Sequence, residues 1–410
     1  MRLISKPAVL VALIASGLTI ASAQTAPEFQ FRFTEKPGPY RVGFKVIEQY
    51  DRSRVFQIAS DELGKPTNTA GPRPLQTLVW YPAEKSSAKI MTFGDYAALI
   101  KTETSFSRPV DPGQPQTFIE QYMHGVTALK TWAFQDAPTQ EGRFPLVIYA
   151  PSINTPATEN IELCEYLASH GFVVISSPSM GAMSRAMADG GENAQAKDIS
   201  FEIDFARTLP NTEMSAVAVI GYSIGGISAL FAAARDQRID ALVSLDGSFR
   251  YAPGAVQDAG DVHPDRMTIP LLAFSRAEET LESWDAIHQS KNFLAPNVLN
   301  EWIHGDLLHV HLLAISHIQF SSLYQRSERF RKEALQFSPA DYSLEDGAVT
   351  YNWIARYTLE FLNAYMKKEA AAMVFLKHTP TENGVPKHLM AASFRAASSG
   401  PVLGEAPSAK

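Results

Sequence analysis

Downstream of residue 143 the chain alternates between two patterns. Short apolar runs rich in Val, Ile and Leu occupy Pro145–Ala150, Phe172–Ser177, Ala216–Ile220, Ala241–Leu245, Pro270–Phe274 and His309–Ser316. Runs of this length and composition read as strands buried in a parallel sheet. Between most of them, residues 159–169, 196–208, 224–235 and 278–290 carry helical patterns. The alternation predicts an α/β fold with a doubly wound, mostly parallel sheet. Such sheets bind their ligands at the carboxyl ends of the strands. Upstream the pattern is less regular. Residues 24–41 are polar and Pro-rich and read as an extended arm. Gly43–Phe56 and Gln76–Tyr81 read as two antiparallel edge strands. Residues 84–142 show no clear strand. Helices are expected at Phe93–Lys101 and Phe118–Trp132, on either side of the Pro/Gly-rich stretch 108–116. We take this segment as an insertion near a site, a lid or pocket wall. Near the end, an amphipathic helix is expected at 350–366, and the polar tail 398–410 as flexible.

The first residues have the form of an export signal. Arg2 and Lys6 give a basic start, Ala8–Ile20 is an apolar run too short to span a bilayer comfortably, and Ala21-Ser22-Ala23 is a small-residue cleavage site. Residues 1–23 are therefore expected to be removed, leaving a chain that begins at Gln24 and is periplasmic or secreted. No later segment is long and apolar enough to cross a membrane.

Charge and cysteine content narrow the partners. The full sequence has 36 basic and 43 acidic residues, a net charge of −7, and removing Arg2 and Lys6 takes it to −9. That balance argues against nucleic acid or an anionic membrane as the main partner. Cys164 is the single cysteine, so no intramolecular disulfide can form. It sits in the helical pattern Ile161–Leu167, where a buried packing role is expected.

The candidate chemistry centres on Gly221-Tyr222-Ser223-Ile224-Gly225, a G-x-S-x-G pattern between the apolar run Ala216–Ile220 and the helix-forming Ile227–Ala234. Strand, sharp turn and helix are the setting of a nucleophile elbow. The turn is tight enough to require glycine, and the helix start points the Ile224 N–H at any oxyanion that forms. A serine hydroxyl needs a histidine base, and the base needs a carboxylate to fix its tautomer. In a doubly wound hydrolase they follow in the order serine, acid, histidine. The next strand, Ala241–Leu245, ends in Asp246-Gly247, which places Asp246 in the crevice. Glu278 and Glu279 are rival acids after the following strand, but they stand where a helix begins, where acids are favoured by the dipole alone. Asp246 is preferred. Among His304, His309, His311 and His317, the last lies at the strand's end, where the base should be. His309 and His311 share a strand face and could hold a metal with His304 or Asp306. There is no H-E-x-x-H and no carboxylate cluster to complete a shell, so we expect packed or solvated histidines and no metal. The second oxyanion donor should follow the strand Leu146–Ala150. Pro151 has no N–H, and Ile153 is the preferred candidate.

With these residues in place, the sequence resembles the bacterial branch of the α/β-hydrolases related to platelet-activating-factor acetylhydrolase and dienelactone hydrolase. The resemblance rests on Gly38–Gly43, Val79–Ala83, Leu167–Val174, the elbow, Leu245-Asp246-Gly247 and His317–Ser321, which together span about 38 to 322. It implies an α/β-hydrolase domain over 24–397, an acid after the strand that ends at Leu245, and no cofactor. One departure stands out: where the family has Ser-His-Gly after the strand ending at Ala150, this chain has Pro151-Ser152-Ile153. The expected function is serine-dependent hydrolysis of a carboxylic ester with a short- to medium-chain acyl group, phospholipid and polyester fragments included. The alternatives are a peptide or amide hydrolase with the same three residues, and a non-catalytic exported binding protein on a hydrolase scaffold.

Overall fold

The apolar runs assemble into a single sheet whose interior is closed to water on both faces. The computed structural model describes residues 29–60, 66–103, 106, 125–179, 191–276, 296–337 and 341–398, and Phe31–Lys410 forms one compact unit. The expected signal 1–23, the helix 278–290, Glu278, Glu279 and most of the tail 398–410 lie outside the described residues.

The strands are β1 (Arg41–Ser60), β2 (Pro66–Ala83), β3 (Ile90–Thr92), β4 (Lys130–Gln135), β5 (Phe144–Ala150), β6 (Val173–Ser176), β7 (Thr212–Tyr222), β8 (Ala241–Leu245), β9 (Leu271–Ser275), β10 (Leu307–Leu312) and β11 (Met390–Arg395). Their order across the sheet is β11-β10-β9-β8-β7-β5-β6-β2-β1-β4-β3. From β6 to β10 every neighbouring pair is parallel. The helices that matter below are α1 (Phe93–Leu99), α2 (Ile161–Ser169), α3 (Gly191–Ala206), α4 (Ile224–Arg235), α5 (Ser322–Arg326) and α6 (Leu344–Tyr365).

The unbroken apolar runs have a simple cause. Val147, Tyr149, Ala218, Ile220 and Tyr222 pack into the core shared with α2 and α6. Leu146, Ile148, Ala150, Val217 and Val219, their alternating neighbours, pack into the core shared with α3 and α4. Both sides of each strand are covered, so both sides are apolar. Cys164 lies buried on α2 as a free thiol.

The upstream half corrects several expectations. The first two strands are not edge strands: β2 pairs with β6, β1 pairs with β2 and β4, and β3 is outermost. The segment 84–142, expected to lack strands, supplies β3 and β4 to the sheet. Trp132, expected in a helix at Phe118–Trp132, lies in β4, because its alternating exposed and buried positions fit a half-covered strand. Residues 118–124 of that expected helix lie outside the described residues. The last parallel strand runs over Leu307–Leu312 rather than His309–Ser316, and β11 extends the sheet beyond it.

The β1–β2 ladder is much longer than the strands beside it. Leu78 pairs with Ser176, the last residue of β6, so the ladder from Asp51 and Arg73 outward stands past the carboxyl edge of the parallel strands. It is fastened there by charge. The Arg73 guanidinium, fully buried, donates two bonds to Asp198 on α3, at 2.7 and 2.6 Å, and Arg54 donates a third at 2.6 Å.

Candidate active site

Ser223 occupies the turn between β7 and α4 with φ 55° and ψ −120°. A non-glycine residue rarely adopts this conformation, which costs on the order of 1–3 kcal/mol and persists only where the surroundings impose it. Here they do. The Ser223 N–H donates to Leu245 O at 3.1 Å, and its carbonyl accepts the N–H groups of Gly226 at 2.9 Å and Ser248 at 2.8 Å. Two glycines permit the close approach. A Cβ on Gly225 would lie 2.2 Å from Ala150 O, and one on Gly226 would lie 2.6 Å from Gly247 Cα. The elbow is thus pressed against both the loop after β5 and the turn that carries Asp246.

The structure brings Ser223, His317 and Asp246 into one hydrogen-bonded line. His317 Nε2 is 2.9 Å from Ser223 Oγ, and His317 Nδ1 is 2.5 Å from Asp246 Oδ2. Asp246 follows β8 and is buried, while the His317 side chain is 30% exposed. Burial by itself would raise the Asp246 carboxyl. The hydrogen bond and charge of His317, then Arg276 and the Tyr251 hydroxyl, outweigh it and hold the group below its usual value. Asp246 is therefore an anion that can orient His317 and stabilise an imidazolium.

His317 lies on a 3₁₀ turn over His317–Phe320, not on the strand. A capping box of Ser316 and Gln319 fixes the start of that turn. The Tyr222 hydroxyl donates to His317 O at 2.8 Å, and the two rings lie 5.3 Å apart. The residue before Ser223 thus anchors His317.

Sequence reasoning passed over Glu159 and Asn160, which join the two loops flanking Ser223. The Glu159 carboxylate accepts the Ser152 N–H at 2.8 Å and the Ser152 hydroxyl at 2.5 Å. Its backbone carbonyl accepts the Ser321 hydroxyl at 2.9 Å and the Leu323 N–H at 3.1 Å. The Asn160 side chain donates to Phe320 O at 3.1 Å and accepts the Ser322 N–H at 2.7 Å. Two adjacent buried residues therefore hold the loop after β5 on one side and the His317 segment on the other. Burial pushes the Glu159 carboxyl up to about 7, against the pull of Ser152. The only signal in the sequence was a Glu-Asn pair at a helix start, which a simple cap would also leave.

The loop after β5 leaves few backbone donors. Pro151 has none, and the Ser152 N–H is taken by Glu159, so Ile153 carries the first uncommitted N–H position in the loop. The Ile224 N–H is the first of α4 and has no acceptor within its own helix. Of the other histidines near the last strand, His309 is a packed side chain. Ser275 Oγ lies 2.8 Å from His309 Nε2, and burial, then Arg250 and His311, drive His309 down to about 3, so it is neutral. Asp306 accepts the Tyr365 hydroxyl and the Ala397 N–H. Among the described residues no group of three His, Cys, Asp or Glu side chains is placed to hold a metal ion.

Residues 132–263 match the model of the dienelactone hydrolase family, a stretch that includes Ser223 and Asp246 and ends before His317. No curated protein matches the chain. Among solved structures it is similar to a ferulic acid esterase from Streptomyces cinnamoneus, with a TM-score of 0.60 and 18% identity over 88% of this chain and 98% of that one. The chain has the α/β-hydrolase fold, and about a third of it is similar to the dienelactone hydrolase family.

Proposed function

We propose that the protein is a carboxylic ester hydrolase that works through an acyl-enzyme on Ser223. The observation that carries the reading is the continuous hydrogen-bonded line from Ser223 Oγ through His317 to Asp246 at the carboxyl edge of the sheet. With Nδ1 donating to Asp246, Nε2 is free to accept the Ser223 proton. Ser223 Oγ then bonds to the acyl carbon, and the carbonyl oxygen becomes an oxyanion facing the N–H groups of Ile224 and Ile153. The C–O bond to the alcohol breaks, and the alcohol takes the proton from His317. A water molecule repeats the sequence, giving its proton to His317 and its oxygen to the acyl carbon, and Ser223 is released. Asp246 stays ionised throughout. The chain's own side chains supply every proton transfer, so no cofactor is called on.

The substrate class is a small-molecule ester with a short- to medium-chain acyl group. A panel of p-nitrophenyl esters of graded chain length, extended by a feruloyl ester and matched anilides, tests it. Turnover should be highest on short and medium chains and far lower on anilides. A preference for anilides would make the enzyme an amidase. An organophosphonate should label the peptide that contains Ser223, and labelling of another serine would move the site. We also place the protein outside the cytoplasm, on the form of residues 1–23. N-terminal sequencing from a secretory host should begin at Gln24, and an intact Met1 in the membrane fraction would overturn this.

A further inference from the structure

The hydrogen-bonded line does not stop at Asp246. Its Oδ2 faces His317, and its Oδ1 accepts the hydroxyl proton of Tyr251, five residues on along the same turn. The Tyr251 hydroxyl oxygen in turn accepts from Arg250 Nη1 at 3.2 Å. Arg276, at the end of β9, adds its N–H to Oδ1 at 3.2 Å and brings Nη1 to 3.7 Å from Oδ2. Its guanidinium also lies over the Tyr251 ring, 4.4 Å from the centroid. We infer that Arg250 and Tyr251 are positioning residues that extend the serine–histidine–aspartate line, holding Asp246 in place and limiting how strongly it favours a protonated His317.

The chemistry has a definite sign. A carboxylate that shares its charge with a phenol proton on one oxygen has less left for an imidazolium on the other. The donor direction is fixed, because burial and the Asp246 charge push the Tyr251 phenol well above its ordinary value, so it keeps its proton. Arg250 raises its donor strength by polarising the phenol oxygen. The charged and titratable groups facing Asp246 among the described residues are His317 on its 3₁₀ turn, Arg276 after β9, Tyr222 at the elbow, and Arg250 and Tyr251 on its own turn. His309, on β10 near Arg250, is neutral and adds no charge. The Arg276 N–H already uses Oδ1, and Tyr222 is committed to His317 O.

A single-atom deletion isolates the effect. Tyr251→Phe keeps the ring beneath Arg276 and the backbone bond from Tyr251 N–H to Ser248 O at 2.9 Å, so the turn survives. Asp246 stays satisfied by His317 and the Arg276 N–H. The inference rests on Asp246 and His317 serving as acid and base, and the experiment separates the two claims. Asp246→Asn comes first, with turnover of p-nitrophenyl acetate as the readout. Full activity there would sink the acid assignment itself. Given a crippled Asp246→Asn, the pH profile of kcat/KM is compared between the unmodified protein and Tyr251→Phe. The acid limb should move to higher pH by about 0.5 to 1 unit, because the freed carboxylate holds the imidazolium more tightly. In a Ser223→Ala background, where no turnover interferes, the far-downfield Nδ1 proton of His317 should titrate with the same upward displacement. Arg250→Lys should give a smaller displacement in the same direction. A limb that stays in place or moves to lower pH in Tyr251→Phe overturns the inference and leaves the acid assignment standing.

Discussion

Asp198 and Asp246 are both buried carboxylates at the carboxyl edge of one sheet, and they do opposite work. Asp198, on α3, meets three N–H donors from Arg54 and Arg73, whose charges neutralise it completely. It ties the overhanging β1–β2 ladder to the helical layer and has nothing left for chemistry. Asp246, after β8, meets one histidine, one phenol and an arginine whose guanidinium stands off at 3.7 Å. Its charge is kept partly uncompensated, at a residue whose φ is 45°. The antiparallel half uses buried charge as a fastener, and in the proposed mechanism the parallel half uses it as a tool. Stability and activity should therefore separate when the two halves are mutated.

The largest effect is expected in the parallel half. Ser223→Ala should lower ester turnover by about 10⁴- to 10⁶-fold, with an unchanged or slightly raised unfolding midpoint because a strained serine has been relieved of its role but not its turn. A midpoint several degrees lower would mean that the serine is structural. Next comes the fastener. Arg73→Met leaves Asp198 buried with half its partners and should cost about 3–5 kcal/mol in urea unfolding, while kcat/KM per folded molecule stays within about threefold. If activity falls as far as stability does, the two halves are not separable.

Glu159→Gln tests the bridge between the loops. The two Ser152 donors go to different carboxylate oxygens, one of which becomes an NH2 donor in Gln, so the loop carrying Ile153 should drift. We expect kcat to fall roughly 10- to 100-fold with KM nearly constant, the mark of an interaction made in the transition state. A rise in KM alone would place Glu159 in ground-state binding instead.

The smallest effect is a slope with pH. Burial raises Glu103 and Glu202 to about 8, and Glu159 and Glu165 to about 7, from an ordinary value of 4.5. Each is a group whose folded state holds its proton more tightly than the unfolded chain. The stability it contributes is fully present below 4.5 and is lost as pH rises towards 7–8. Asp51 and Asp246 shift the other way but titrate below this window, and His309, held down to about 3, opposes the decline only below its ordinary value of 6.5. The urea midpoint should therefore decline between pH 5 and pH 8, and Glu202→Gln should flatten the decline. A midpoint that rises over this range would contradict the buried-acid account.

The parallel strands were legible because burial on both faces writes itself into composition. β8 was read to the residue and α4 likewise, while β5, β6 and β9 differ by a residue or so at their ends. The upstream half was harder for the same reason inverted. β4 and the outer part of β1 are half exposed, carry Lys, Arg, Asp and Gln, and become strands only through their partners. The three side chains of the hydrogen-bonded line were also readable, since each stands at the carboxyl end of a strand or just beyond one, a place that strand order alone predicts.

What the sequence determined by itself is the alternating α/β architecture, the elbow with its glycines, and the identity of the serine, acid and histidine that the fold brings together. Local patterns suffice for these because strand burial and tight turns are properties of a few consecutive residues. The tertiary structure alone decided that the β1–β2 ladder overhangs the carboxyl edge, that Asp198 locks it to α3, that Glu159 and Asn160 join the loops on both sides of Ser223, and that Tyr251 and Arg276 reach the carboxylate of Asp246. Each of these is set by a polar side chain finding its partner in three dimensions. Arg73 and Asp198 are 125 residues apart, and Asn160 and Ser322 are 162 apart. A buried polar group must be satisfied by whatever the fold places within 3 Å of it, and over such separations no periodicity in the chain records which group that will be.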